Sequence, residues 1–417
     1  MPSPNWTLHV EGFGPIRKAE LDVRPLTLLV GENSTGKSYL ATLLWGLAQI
    51  NNIALPWASL SGHEAQRMTN IIKEQGNSFS FSQENIDLII RVANSRLNNV
   101  KSQFISKIFN SAKVSIKNIS INSSTGAPHQ QHALIFNKNT DQLASFIHIL
   151  DEIIGNGTQF TESLYLPASR TGFMQTYSYV VIRGIEAVGT GNAIVSRTNL
   201  TLPMVEFLKL LAIGTNEGSR FASEAQALEE SLGGEIVKHS QAGFNHYEYR
   251  MKGTETTLPM SVVSTVVSEL APIILVLKQS EHLPFLVIEE PEAHLHPKVQ
   301  RTLAVVIARL IRKGVRVVLT THGDLFCHQL NNLIKLGSLP EPKRRALQKR
   351  FKLKETDYLL PQEVSGYGLT ISKDRTHSVV EALKMTPYGL EMPTFNAEID
   401  SLEAQTDALD QALEALT

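Results

Sequence analysis

The sequence predicts an α/β fold with a largely parallel sheet, an inserted, mostly helical lobe and a C-terminal helical extension. Three observations carry that expectation. A short apolar strand, Leu26 to Val30, runs into a glycine-rich loop and then a helix from Lys37 through Ala48. Far downstream a second apolar strand, Phe285 to Ile288, ends on two adjacent acids, Glu289 and Glu290. Between them lies a polar stretch rich in Asn and Ser that breaks the strand–helix alternation. Strands that alternate with helices around such a loop pair in parallel.

Taken in order, Leu8 to Val10 and Ala19 to Val23 read as strands flanking a Gly12-Phe13-Gly14-Pro15 turn. Residues 1–50 form the first part of the core. Residues 51–162 form the insert, with an amphipathic helix from Gln83 to Phe109 and two strand-like pieces, Val114 to Ile121 and Ala133 to Asn137. No heptad is sustained there, so a long coiled coil is not expected. The core resumes over 163–333. It begins with alternation at Ser163 to Leu166, then helical stretches around Val205 to Ala212 and Ser223 to Leu232, and a hairpin-like pair ending at Tyr247 to Met251. A helix from Val262 to Leu277, the strand at Phe285, a helix from Pro297 to Arg312 and a strand from Arg316 to Thr320 complete it. Residues 334–417 are left as the C-terminal extension.

With 417 residues and 42% apolar content, the chain can bury one large core or two ordinary ones. A formal charge of −1 excludes a protein that is basic all over and coats nucleic acid, though not a local basic patch. The single cysteine, Cys327, excludes an internal disulfide and fits a reducing compartment. The start, Met1 to Trp6, lacks the basic-then-apolar layout of a signal peptide, and apolar runs such as Ala271 to Leu277 are far short of a bilayer span. The expectation is a cytoplasmic protein with no membrane partner.

Two charge blocks break the neutrality. Lys343, Arg344, Arg345, Lys349, Arg350, Lys352 and Lys354 crowd one segment, either as a solvated helix face or as a contact for nucleic acid or an acidic partner. From Pro387 to the end there is no Lys or Arg and there are seven acids. In that acidic tail Phe395, Ile399, Leu402, Leu409, Leu413 and Leu416 fall at helical spacing after an N-cap candidate, Thr394. Such a stripe packs either on its own core or on another chain.

The loop Gly31-Glu32-Asn33-Ser34-Thr35-Gly36-Lys37-Ser38 fits G-x-x-x-x-G-K-[ST]. Its glycines let main-chain N–H groups wrap a polyphosphate, and the following helix N-terminus adds partial positive charge. Lys37 is the point charge for the β- and γ-phosphates, and Ser38 offers a hydroxyl to Mg²⁺. ATP with Mg²⁺ is therefore the expected ligand. Such a loop needs an acid at the end of a neighbouring buried strand. Glu289 is placed toward the metal, and Glu290 as the base that orients and deprotonates water. His294 and His296 beside Glu292 make only a weak metal motif. His322, just past the strand ending at Thr320, is placed to contact a γ-phosphate.

Together, Gly31 to Ser38, the run from Ile288 to Pro297 and Thr320-Thr321-His322 resemble the ABC-type ATPases of the RecF/SMC class. More narrowly they resemble the OLD-like AAA ATPases of bacterial phage-defence systems. Phe13 to Arg17 and Tyr165-Leu166-Pro167-Ala168-Ser169-Arg170 share that resemblance. It implies a P-loop ABC-ATPase head, with Glu289 as metal acid (Asp in most members), Glu290 as catalytic base and His322 as switch histidine. It also implies a D-loop at Ala293 to His296, next to a dimer interface. Ser264 is the best candidate for the signature serine that caps ATP on a second copy, but the usual glycines are missing around it. Gln49 is a weak candidate for the Q-loop glutamine, and Arg170 reaches either phosphate or a neighbouring subunit, or makes a structural ion pair.

The resemblance further implies a homodimer or higher homo-oligomer whose ATP cycle senses double-stranded DNA or a foreign trigger and controls a separate effector, a nuclease or toxin, in antiviral defence. OLD proteins carry a nuclease after the ATPase. Fewer than a hundred residues follow His322 here, without a D-x-D, so a nuclease is expected on another chain. The alternative is a slow-turnover, ATP-gated scaffold that sequesters a partner protein without acting on DNA.

Overall fold

The computed structural model describes residues 5–50, 53, 78–79, 83–123, 134–135, 163–177, 179, 200–214, 218, 220–241 and 244–414. The chain opens with β1 (Trp6–Phe13), β2 (Ile16–Val23), β3 (Leu26–Gly31) and α1 (Lys37–Ala48). Then come α2 (Gln83–Phe109), β4 (Asn118–Ser123), β5 (Leu164–Leu166), a short helix over 170–177, α3 (Leu202–Ile213) and α4 (Ala222–Leu232). A hairpin of β6 (Gly234–Gln241) and β7 (Phe244–Met251) with β8 (Thr257–Pro259) precedes α5 (Thr265–Gln279). The chain continues through β9 (Phe285–Glu289), α6 (Pro297–Arg312), β10 (Arg316–Thr321), α7 (Asp324–Ser338) and α8 (Glu341–Arg350). It ends with β11 (Val364–Ile371), β12 (Ser378–Ala382) and α9 (Pro393–Glu414).

The α/β architecture expected from the sequence is present. Among the described residues one sheet of nine strands runs in the order β4-β1-β2-β12-β11-β3-β10-β9-β5. The half from β11 to β5 is parallel throughout. The other half is mostly antiparallel, through β4–β1, β1–β2 and β12–β11. β3, β9 and β10 are buried at every position, which is why they read as unbroken apolar runs rather than alternating ones. Each face of the sheet carries its own core. Leu29, Val287 and Val318 point to the side of α1 and α2, while Leu28, Val30, Leu286 and Ile288 join α5, α6 and α7 on the other. In α1, Leu40, Leu43 and Leu44 are fully buried, each stabilising the fold by about 1.5–3 kcal/mol. That burial fixes the helix whose first turn leads out of the glycine-rich loop.

Two expectations need correction. Residues 334–417 are not wholly an appendage, because β11 lies directly against β3 and β12 against β11. Glycines mask β11 in the sequence pattern. Gly366 makes room for Leu390, whose Cδ1 would lie 2.7 Å from a Cβ there. The insert, likewise, is tied into the sheet: β4 pairs with β1 along its length, and Asn94 and Asn98 of α2 bond to the main chain of Ile121 and Ile119. Of the expected strand Ala133 to Asn137, only residues 134–135 are described, and they pair with 78–79. The C-terminal helix forms as its spacing predicts, and of the two alternatives left open its exposed leucines do not pack on its own head. Leu402, Leu409 and Leu413 are 64%, 59% and 62% exposed; Leu416 lies outside the described residues. Among the described residues no helix is long and apolar enough to cross a membrane.

Candidate active site

The glycine-rich loop leaves β3 at Gly31, whose φ of 149° and close neighbour both demand glycine. A Cβ there would lie 2.1 Å from the carbonyl oxygen of Leu369 in β11. Gly36 takes φ 97° at the N-cap of α1, packed on Pro15 and Ile16 of the β1–β2 turn. The first turn of α1 carries neither an acidic residue nor a side-chain cap, which leaves its N–H groups for an anion. Thr35 Oγ1 donates to the carbonyl of Glu32 at 2.8 Å and tightens the loop. Buried Lys37 folds back under it, its Nζ donating to the carbonyls of Gly31 at 2.7 Å and Glu32 at 2.6 Å. Burial lowers the pKa of this ammonium, while Glu290, Glu292, Glu289 and Glu32 pull it back up. Asn33, Ser34 and Ser38 are exposed, Ser34 at φ 62°.

Two strands away from β3, β9 delivers Glu289 to the same edge of the sheet, opposite Thr320 of β10. Glu289 is buried, and its Oε2 accepts from the N–H of Ala168 at 3.3 Å. Its Oε1 is buried with no hydrogen-bond partner. A carboxylate oxygen held this way is costly without a cation, so the residues fit Mg²⁺ on Glu289 with the hydroxyl of Ser38. Tyr165, stacked edge-on against Trp45, is wholly buried near Glu289; its hydroxyl is pushed well up in pKa, first by burial and then by that carboxylate.

Glu290 takes φ 44°, an uncommon conformation for a residue with a side chain. Its N–H donates to the carbonyl of Thr320 at 2.9 Å, and its own carbonyl accepts from Ala293. The turned main chain brings its carboxylate within 3.6 Å of His322 Nδ1, beyond hydrogen-bond distance. Glu292 positions this histidine. Its Oε1 accepts from Thr321 Oγ1 at 2.6 Å and from the N–H of His322 at 3.0 Å. The sequence pattern gives Glu292 only a place in the weak motif with His294 and His296; the signal for its part here is a third acid two residues past the pair. Gly323 is glycine because a Cβ would lie 2.6 Å from Glu292 Cγ.

Arg170 resolves to the structural alternative. Fully buried, it donates from Nε to the carbonyl of Glu269, and from Nη1 to those of Pro167 at 3.1 Å and Glu289 at 2.6 Å. From Nη2 it donates to the carbonyl of Glu290 at 3.1 Å and pairs with Glu269 Oε2 at 3.3 Å. Glu269 sits in the second turn of α5 and its Oε1 accepts from the N–H of Thr171. One ion pair thus joins the main chain of Glu289 and Glu290 to α5, the helix that follows Ser264. Ser264 is exposed at the N-cap of α5, and its hydroxyl makes no cap bond to its own helix.

The remaining candidates take ordinary structural parts. Gln49 donates to the carbonyl of Ser163 at 2.7 Å, beside Trp45 Nε1 at 3.0 Å, tying α1 to β5. His294 is exposed at φ 57°, and His296 caps α6 by accepting from the N–H of Lys298. Among the described residues no cluster of three or more His, Cys, Asp or Glu forms a metal site. The basic segment is α8 and the turn after it, exposed except that Arg344 stacks on the Tyr358 ring at 4.2 Å.

With this geometry in place, the chain can be set beside known proteins. Three solved structures are similar over most of the chain. The SmcHead bound to the C-winged helix domain of ScpA is 12% identical, with 91% of this chain and 98% of that one covered at a TM-score of 0.41. The SMC head domain from Thermotoga maritima is 11% identical, covering 91% and 99% at 0.36. The Smc head domain with an extended coiled coil bound to the C-terminal domain of ScpA derived from Pyrococcus furiosus is 12% identical, covering 97% and 100% at 0.40. Likeness at that level says nothing about partners. No curated protein sequence matches the chain. Residues 7–170 match the family described as "AAA ATPase domain". Residues 192–327 match the one described as "AAA domain, putative AbiEii toxin, Type IV TA system". From residue 7 to residue 327, apart from 171–191, the chain is therefore similar to AAA-type ATPase domains, each of the two matches covering less than half of it.

Proposed function

We propose that this chain hydrolyses ATP in the manner of an ABC-type head, and that its ATP cycle controls a separate effector in antiviral defence. The single observation that carries the chemistry is Glu290, turned by its φ of 44° to lie 3.6 Å from His322 Nδ1 at the edge where β3 delivers the phosphate loop. In this reading the N–H groups of Gly31 to Ser38 and Lys37 Nζ bind the polyphosphate. Lys37 must leave the carbonyls of Gly31 and Glu32 to do so. Magnesium, held by Ser38 and Glu289, would neutralise charge on the β- and γ-oxygens. Glu290 takes a proton from water as the water oxygen bonds to Pγ; the bond from Pγ to the bridging oxygen breaks, and ADP and phosphate leave. His322 contacts the γ-phosphate, and its position depends on Glu292.

Two copies close over two ATP molecules, each Ser264 capping the ATP of its partner. Exposure of Ser264 without an intrahelical bond supports that arrangement. The effector is a nuclease or toxin on another chain. The toxin–antitoxin wording of the family matched by residues 192–327 supports that class of role. In this reading double-stranded DNA or another foreign signal is the trigger. The second reading, a slow ATP-gated scaffold that sequesters a protein partner, is favoured by the missing glycines around Ser264.

ATPase rate measured with and without double-stranded DNA separates the two. Stimulation of several-fold supports the DNA-engaged reading; an unchanged slow rate with a lasting ATP-dependent dimer supports the scaffold.

A further inference from the structure

The hairpin loop 372–377, between β11 and β12, belongs to the 334–417 segment that the sequence pattern sets apart from the nucleotide site. The strand register places it elsewhere. β11 runs parallel to β3 with Leu369 opposite Gly31, the last residue of the phosphate-loop strand. It then continues for two residues, Thr370 and Ile371, so the loop starts about 7 Å beyond the level of Gly31 on the same edge. On its other side Ser378 pairs with Ile16, and its N–H donates to the carbonyl of Pro15 at 2.7 Å. Pro15 and Ile16 are the residues against which Gly36 of the phosphate loop packs. The phosphate loop, the β1–β2 turn and hairpin 372–377 therefore meet at one corner of the sheet. That corner lies on the antiparallel side of β3, away from Glu289 and Glu290, which lie toward β10 and β9.

The chemistry of the loop suits an anion. It presents Lys373 and Arg375, both exposed, and Arg17 is exposed one residue into β2 from the same edge. No aromatic side chain lies between Ser372 and His377 to stack on a base. The loop is also stiff. Asp374 Oδ1 accepts from Ser372 Oγ at 2.6 Å, from Thr376 Oγ1 at 2.9 Å and from the Thr376 N–H at 3.2 Å. These bonds draw its pKa down to about 2, so it stays ionised and uses Oδ1 to brace the loop, which keeps a net positive charge through Lys373 and Arg375. Arg375 takes φ 55°, and its N–H bonds to the Ser372 carbonyl at 2.8 Å. A cationic loop held in one shape beside a phosphate loop loses little freedom on binding.

We propose that hairpin 372–377 is the second wall of the nucleotide site, and that Lys373 and Arg375 bind the α-phosphate end of the ATP polyphosphate. This rests on the assignment of Gly31 to Ser38 as the ATP loop. Glu290 and His322 serve the γ-phosphate from one side of β3, and the hairpin serves the opposite end of the chain of phosphates. It follows that the hairpin recognises ATP and ADP alike and contributes to affinity rather than to the rate of the chemical step.

The test is titration calorimetry of Mg·ATP and Mg·ADP on the full chain and on Lys373→Ala/Arg375→Ala, with turnover at saturating ATP. Removing two charge-assisted hydrogen-bond donors should weaken both nucleotides by roughly 10–100-fold, leave kcat within about twofold, and leave the melting temperature in place because both side chains are exposed. Unchanged affinity for both nucleotides, while Lys37→Ala abolishes binding, would overturn the hairpin and leave the phosphate loop intact. Weakening confined to ATP, or a fall in kcat instead of affinity, would also overturn it by placing the loop at the γ-phosphate. ATP binding that survives Lys37→Ala would remove the phosphate-loop assignment and the hairpin's role with it.

Discussion

The wholly buried guanidinium of Arg170 holds the main-chain carbonyl of Glu290 at 3.1 Å. With its second nitrogen it holds the carbonyl of Glu289, and it is neutralised by Glu269 of α5. The strained turn at Glu290 is thus fixed from behind by a side chain buried wholly within the protein. Burial disfavours the charge on Arg170, so the pair is maintained at a cost, and removing one partner leaves the other stranded. Arg170→Met should destabilise the fold by about 3–5 kcal/mol in chemical denaturation. Arg170→Met/Glu269→Met should recover much of that stability but not the ATPase rate, because the carbonyls of Glu289 and Glu290 stay unheld. A double variant with full turnover would show that the clamp serves stability alone.

Lys37 gives a pH dependence with a definite sign. In the free protein its pKa is below the ordinary 10.5, chiefly from burial. Only the ammonium pairs with phosphate, so bound ATP raises that pKa again. Affinity should therefore be level near neutrality and fall as pH rises through the lowered value, with proton uptake on binding in that window. Calorimetry at stepped pH in buffers of different ionisation enthalpy measures both. Affinity that rises with pH would mean the ammonium is not a phosphate ligand.

The basic face can be tested without disturbing the fold. Arg344 is best left alone because it stacks on Tyr358. Lys343→Glu, Arg345→Glu and Arg350→Glu together should weaken double-stranded DNA binding and flatten its salt dependence by a slope of about 2–3, near 0.9 for each phosphate that is no longer neutralised. An unchanged slope leaves a solvated face.

Helix α9 displays Leu402, Leu409 and Leu413 to solvent on an acidic background. Deleting 400–417 removes none of the described core of its own head, so the melting temperature should move by less than about 1 °C, the shift a 1 kcal/mol loss would produce in a domain this large. The oligomer mass in light scattering should fall if the stripe seats on another chain. Melting several degrees earlier at unchanged mass would place the helix on its own core.

Much of the site is legible in the sequence because its physics is local. The glycines at 31 and 36, Lys37 and the helix that follows form one contiguous motif, and Phe285 to Glu290 shows an apolar strand ending on acids. Glu292, Arg170 and hairpin 372–377 are not legible in the same way. Their roles come from contacts across the sheet, 30 residues away for Glu292 and His322 and 120 for Arg170 and Glu290. β11 is masked by glycines that relieve packing against Leu390 and Leu383, not by any turn. The C-terminal stripe is helical, as its spacing predicts, but periodicity does not say which surface a helix covers.

The central claim is that Glu290 is the base that activates water. Single-turnover hydrolysis by Glu290→Gln, with ATP and Mg²⁺ affinity measured in parallel, tests it most directly. The expected result is near-normal binding, hydrolysis slower by roughly 10²–10⁴-fold, and accumulation of an ATP-bound dimer. Hydrolysis within a few-fold of the unmodified protein, or loss of Mg²⁺ in Glu290→Gln but not in Glu289→Gln, would contradict the assignment.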